Sequence, residues 1–175
     1  MGIFGPNRHS IRLQGYDYAS TGMYYVTLCT QNRLQVCGEV IQGQMYRSVV
    51  GEMVQKAWLE LPRYDPRISL DEFVVMPNHL HGILAIDRDV MGFDCGRAQG
   101  PAPTIPLHSM SLPDLMQRIK SWTTQQYWDL NPSFQGRLWQ RNYFEHIVRG
   151  DADLDRIREY IRSNPKNWET DPENL

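Results

Sequence analysis

The stretch VVMPNHLHGILAI, residues 74–86, reads as two apolar strands joined by a tight turn at Pro77 and Asn78. Into this run of Val, Met, Ile, Leu and Ala the chain inserts two histidines, His79 and His81, where the second strand begins. Residues i and i+2 of a strand share one face, about 6.6 Å apart along the chain. The two imidazoles can therefore converge on one point while Leu80 turns the other way into the core. Neutral imidazole nitrogens are ready ligands for a divalent metal, and two from one strand supply two-thirds of a facial site with open positions. The same pair can equally be two hydrogen-bonded histidines near a sheet edge, and the spacing leaves both readings open.

Outward from this hairpin, MYYVTLCTQNR (23–33) is rich in β-branched and aromatic residues and reads as a strand. VCGEVIQGQMYRS (36–48) carries Gly at intervals and reads as a small hairpin or an irregular excursion. In 49–61, Val50, Met53, Val54, Ala57, Trp58 and Leu61 fall at helical spacing, and Pro62 closes the segment. The central strands are expected at 68–76 and 79–86. Residues 87–110 are rich in Gly and Pro without periodicity, and read as a long mobile loop inside a single domain spanning 1–175. Ser111 offers an N-cap, with Pro113 and Asp114 in the first turn of a helix reaching about Asp129. Leu115, Ile119, Trp122 and Gln126 share one of its faces. Residues 137–150 form a strand candidate with aromatics on both faces. Asp151 is expected to cap a last helix that ends before Pro165. The order β, α, β, β, α, β, α predicts an α+β fold, a ferredoxin-like split βαβ sandwich whose antiparallel sheet carries its helices on one face.

Composition narrows the class. With 41% hydrophobic and 22% charged residues in 175, the chain reads as a soluble globular protein. No apolar run approaches the roughly 20 residues that span a bilayer. The first residues lack the basic start and apolar stretch of a secretory signal, and Pro6 argues against a myristoylation motif after Met-Gly. Cys29, Cys37 and Cys95 are odd in number, widely spaced and without a CxxC pair, which predicts reduced thiols in a cytoplasmic protein. The net charge of −2 gives no support to nucleic-acid binding, but it is uneven. Between Arg137 and Lys166 there are seven basic residues against five acidic ones.

In DADLDRIREYIRSNPKNW (151–168), Leu154, Ile157 and Ile161 make a narrow apolar stripe that would pack on the sheet. Tyr160 and Asn164 are four apart and stack at the border of that stripe. A phenol there can be simple packing, and Asn-Pro can be a simple helix stop. The amide oxygen of Asn164 is equally a suitable ligand for a hard divalent cation. Arg156, Arg158 and Arg162 occupy the rest of the helix surface.

MPNHLHGIL (76–84), WQRNYFEHIVR (139–149) and REYIRSNPKNW (158–168), in this order, resemble the REP-associated tyrosine transposases, relatives of the IS200-like single-tyrosine HUH transposases. The resemblance runs from about Ser10 to Trp168 and implies the same split βαβ fold. It implies that His79 and His81 bind the catalytic metal, that Asn164 supplies a further ligand and that Tyr160 is the nucleophile. Mixed imidazole and amide-oxygen ligation suits Mg²⁺ or Mn²⁺, with Mn²⁺ better matched to imidazole. The function implied is nicking and strand transfer on single-stranded or hairpin DNA, of the REP-like palindrome type, through a 5′-phosphotyrosine. Such a protein is nucleoid-associated when bound to DNA. A monomer is favoured over the dimers in which single-tyrosine relatives exchange the tyrosine helix.

Lys120, Trp122, Arg137, Trp139, Arg141, Asn142 and Arg149 interleave cations and aromatics in a way that suits phosphates and stacked bases, and Arg158 and Arg162 join them as DNA-binding candidates. For Trp122 and Trp139 the core is the favoured reading. Glu145 and His146 fall in the second motif without an assigned role. The alternatives are a module of the same fold that only binds a DNA or RNA hairpin, and a metal-dependent phosphodiesterase that uses water.

Overall fold

The computed structural model describes residues 21–87 and 110–174. The opening polar arm and nearly all of the expected loop at 87–110, with Cys95, lie outside the described residues. Six strands and four helices follow one another: β1 Gly22–Cys29, β2 Gly38–Ile41, β3 Gln44–Arg47, α1 Val49–Leu59, α2 Leu61–Tyr64, β4 Ile68–Met76, β5 His79–Ile86, α3 Leu112–Leu130, β6 Phe144–Ile147 and α4 Asp151–Ser163. The main sheet is antiparallel in the order β4-β5-β1-β6. That is the split βαβ sandwich of the α+β class, with β2 and β3 set apart as a small hairpin. No helix among the described residues is long and apolar enough to cross a membrane.

Alternation along β1 builds two cores. Tyr24, Val26 and Leu28 face one side, with Leu80 and Leu84 of β5, and are covered by Trp58 and Val54 of α1 and by Leu115 and Ile119 of α3. Tyr25 and Ile83 face the other side, covered by Ile157 and Ile161 of α4. The expectation of helices on one face holds for the two crossover helices and is corrected for α4, which packs on the opposite face. The reason is in the strand pattern: α1 and α3 fill the first face, and Tyr25 and Ile83 leave apolar surface on the second. Burying Ile157 and Ile161 there contributes about 2 kcal/mol each.

Other boundaries differ from expectation for local reasons. β1 stops at Cys29 rather than Arg33, because Asn32 and Arg33 adopt left-handed φ values of 53° and 56°. Thr30 keeps only a single bridge, to Trp139. The strand expected over 137–150 shrinks to the four residues of β6, since 140–142 turn away to meet Lys120. Pro62 does not end the helical path; it sits in the first turn of α2, where its missing N–H costs nothing. Gly150, at φ 77°, takes the N-cap position that Asp151 was expected to fill.

Gly82 decides how closely α1 approaches. A Cβ at this position would lie 2.4 Å from Cζ2 of the buried Trp58 ring. Gly82→Ala is therefore expected to cost about 1–3 kcal/mol by overpacking. Urea denaturation measures this, and an unchanged midpoint would mean that the indole moves aside freely.

Candidate active site

The turn at Pro77–Asn78 sets β5 so that His79 pairs with Cys29 and His81 with Thr27 of β1, on the face that α4 covers. Both imidazoles are fully buried and their ring centroids are 4.3 Å apart. Each ring is oriented from behind. His81 Nδ1 lies 2.9 Å from both the Tyr25 and Thr27 hydroxyls. The Asn78 amide donates to the carbonyl of Glu173 at 2.7 Å, which leaves its Oδ1 facing His79 Nδ1 at 2.8 Å. An acceptor at that position requires Nδ1 to carry the proton, so His79 presents the Nε2 lone pair.

α4 brings Tyr160 to this pair. Its ring lies 5.3 Å from that of His81 and 6.5 Å from that of Tyr25. The chain then continues from α4 into a 3₁₀ turn, Asn164–Thr170, that folds back over the histidines, with Trp168 5.9 Å from His79. This return delivers Asp171, whose carboxylate accepts from the Asn164 amide and, at 3.5 Å, from the Tyr160 hydroxyl. His79, His81 and Asp171 are buried, and one potential ligand atom from each lies within 4.8 Å of the others. Asn164 is 1% exposed, and its Oδ1 has no hydrogen-bond partner among the described residues.

Two imidazoles and a carboxylate with converging ligand atoms fit a divalent cation, and the uncompensated Asn164 Oδ1, on the amide that bonds Asp171, adds to that fit. His79, His81 and Asp171 would hold it, and Asn164 Oδ1 is a further candidate. Glu173 closes the edge, receiving Arg33 on its carboxylate and accepting from the Cys29 thiol at 3.2 Å. Cys29 and Cys37 are buried and form no disulfide among the described residues; burial pushes the Cys37 thiol up to about 12.

The tyrosine helix is tied down at both ends. Arg158 forks onto Asp71 at 2.9 and 2.6 Å, and Arg162 pairs with Glu72, both beside the irregularity of β4 between Leu70 and Phe73. At the helix start, Asp153 accepts from the Arg149 N–H, His146 Nε2 and Arg156. Burial raises the Asp153 carboxyl, but these partners outweigh it and bring its pKa down from 3.8 to about 2. A depressed carboxylate stabilises the fold above its unfolded value and loses that contribution as pH falls through its folded one. The unfolding free energies of wild type and Asp153→Asn should thus differ by about 2 kcal/mol at neutral pH and converge as pH drops from 3.8 to about 2. A gap that stays constant over this window would remove Asp153 from the account.

The remaining sequence candidates divide by environment. Arg158 and Arg162, expected to face DNA, are engaged with acidic residues of β4. Trp139 is 3% exposed and donates to Thr123 at 2.7 Å, so it belongs to the core; Trp122 is half-buried against the same cluster. Lys120 donates to the carbonyls of Gln140, Arg141 and Asn142, and so shapes that loop. Arg137, Arg141, Asn142 and Arg149 are exposed, and no ion pair engages the three arginines among the described residues. His146 anchors α4, whereas Glu145 pairs with Val26 on the other face, with both carboxylate oxygens buried and without a hydrogen-bond partner among the described residues.

Sequence reasoning missed Asp171, Asn78, Tyr25 and Thr27. Tyr25 and Thr27 carried a usable signal, since polar groups two apart on β1 share a face; Asp171 carried none.

Residues 105–164 match the family described as Transposase IS200 like, a span that contains Tyr160 and Asn164 and begins after His79 and His81. An uncharacterized protein of Haemophilus influenzae is 38% identical over 167 residues, covering 94% of this chain and 92% of that relative. Among solved structures, a REP-associated tyrosine transposase bound to a REP hairpin superposes with a TM-score of 0.57 at 18% identity, over 96% of this chain and 74% of that one. A putative transposase from Deinococcus radiodurans gives 0.47 at 17% identity, over 85% and 92%. The first of these structures shares the split βαβ sheet, and the stretch from α3 through the tyrosine helix is similar to the IS200-like transposase family.

Proposed function

We propose that this protein nicks and rejoins one strand of single-stranded or hairpin DNA through a 5′-phosphotyrosine on Tyr160. The observation that carries this reading is the placement of the Tyr160 phenol, from the same chain, beside two imidazoles backed by hydrogen-bonding partners. That arrangement in cis also supports a working monomer. The relative whose structure holds a REP hairpin supports a hairpin as the substrate form.

The chain's own groups divide the work. Asn78, Tyr25 and Thr27 hold the histidine rings so that no reorientation is needed when substrate arrives. In the resting protein Asp171 Oδ2 accepts a long hydrogen bond, 3.5 Å, from the Tyr160 hydroxyl, which turns that hydroxyl toward the cluster. A bound Mg²⁺ or Mn²⁺ would supply charge withdrawal from a non-bridging oxygen of the scissile phosphate. The Tyr160 hydroxyl gives up its proton to solvent as its oxygen attacks phosphorus, the bond from phosphorus to the 3′-oxygen breaks, and that oxygen leaves as a hydroxyl by taking a proton back from solvent. The ester keeps the energy of the broken bond, so a second 3′-hydroxyl can displace the tyrosine and restore a phosphodiester without ATP.

Incubation with 5′- and 3′-labelled hairpin DNA and Mn²⁺, followed by denaturing electrophoresis, tests the reading. A protein–DNA adduct bearing only the fragment 3′ of the nick supports it. Tight binding without cleavage would favour the binding module, and cleavage without adduct would favour water as the nucleophile.

A further inference from the structure

The outer face of α3 carries a feature that the catalytic reading does not use. Gln117, Ser121, Gln125 and Trp128 follow one another at intervals of four, four and three, which makes a single exposed stripe along the helix. Across from this stripe run residues 137–141, and between the two lies a groove of about 630 Å³. Its far wall is held in place rather than loose. Trp139 is tied to Thr123 of α3, and Lys120 gathers the carbonyls of Gln140, Arg141 and Asn142.

Three properties of this groove point to one ligand class. Trp128 is 41% exposed, unusual for so large an apolar ring, and its Nε1 donates to the Gly136 carbonyl at 3.1 Å. The hydrogen bond fixes the indole and leaves a flat π surface at the groove's end. The stripe beside it offers neutral amide and hydroxyl groups, which match the mixed donors and acceptors of a base edge. Arg137 and Arg141, both exposed and without an acidic partner among the described residues, stand on the opposite wall. The volume falls in the ~300–1,000 Å³ range of sites that take small organic groups. A base inside a duplex has its faces covered, so a fixed aromatic platform selects a base that is unpaired.

The groove is also connected to the histidine end of the sheet. Gln140 N–H donates to the Cys29 carbonyl at 2.9 Å and Gln31 N–H to the Leu138 carbonyl at 2.8 Å. Cys29 in turn pairs with His79 in register. The groove wall and the histidine pair are thus joined through the end of β1.

We propose that the groove between α3 and residues 137–141 is a subsite for one unpaired nucleobase of the DNA substrate, stacked on Trp128 with its flanking phosphates on Arg137 and Arg141. This rests on the reading of the protein as a DNA-processing enzyme and adds the form of the strand that it recognises. A hairpin with an extruded or single-stranded base engages the groove; a fully paired stem engages only the cationic rim.

The test uses the full chain and a set of DNA hairpins in which 2-aminopurine is placed singly in the loop, as a bulge in the stem or in a single-stranded foot, with a fully paired hairpin beside them. Wild type is expected to quench the fluorescence at one of these positions. Trp128→Ala should lose that quenching and bind the same hairpin about tenfold more weakly, while its affinity for the fully paired hairpin changes less than about twofold. Trp128→Phe should recover most of the affinity, which a misfolded protein would not. Equal weakening on all hairpins, or no weakening on any, would overturn the subsite. Absence of a Mn²⁺-dependent adduct with wild type would instead count against the enzymatic reading, because the binding comparison needs no cleavage.

Discussion

The Tyr160→Phe protein should bind hairpin DNA within about twofold of wild type and form no denaturation-resistant adduct, a loss of roughly a thousandfold or more. Among the described residues, the change removes one oxygen and its long hydrogen bond to Asp171 at 3.5 Å. The ring contacts with His81 and Tyr25 remain available to phenylalanine. α4 keeps its apolar stripe and its ion pairs to Asp71 and Glu72, so the fold has no reason to fail. An adduct that survived would require another nucleophile. Tyr143, the nearest candidate in the motifs, belongs to the core on the α1 and α3 side, away from the histidine face.

His79→Ala and His81→Ala should each abolish measurable Mn²⁺ binding by calorimetry, because each removes one of the few donors that converge on the site. Asn78→Ala should weaken Mn²⁺ by roughly 10–100-fold while leaving both imidazoles in place. Its side chain fixes the His79 ring through Nδ1 and is itself fixed by the Glu173 carbonyl. Graded losses of this kind separate a metal site from a pair of structural histidines. If the alanine variants instead bound Mn²⁺ like wild type, the cation would sit elsewhere. If they unfolded while Asn78→Ala left affinity unchanged, the histidines would be core residues only.

Much of this was readable before any coordinates. The hairpin 68–86 is bounded by Pro77–Asn78, and both strands fall on the expected residues, because alternation and turn chemistry act within a few positions. The same locality exposed His79 and His81 on one face and Tyr160 with Asn164 on one side of a helix. What escaped depends on contacts between distant parts of the chain. Arg158 and Arg162 look available in sequence, and only the docking of α4 beside β4 brings Asp71 and Glu72 to them. Asp171 follows a proline-marked helix stop and reads as a tail residue. The 3₁₀ turn after Asn164 returns it to the site, and no local pattern announces that turn's direction. α4 was misplaced for a related reason: an apolar stripe says that a helix packs, and not on which face of the sheet.

The central claim is that the Tyr160 oxygen takes the phosphate beside the two histidines. Peptide mapping of the covalent product tests it most directly. After Mn²⁺-dependent reaction with hairpin DNA, nuclease trimming and trypsin digestion, mass spectrometry should find a nucleotide 5′-phosphate on the Glu159–Arg162 peptide, attached at Tyr160. Attachment at any other residue, or a cleaved hairpin with no modified peptide, would contradict the account.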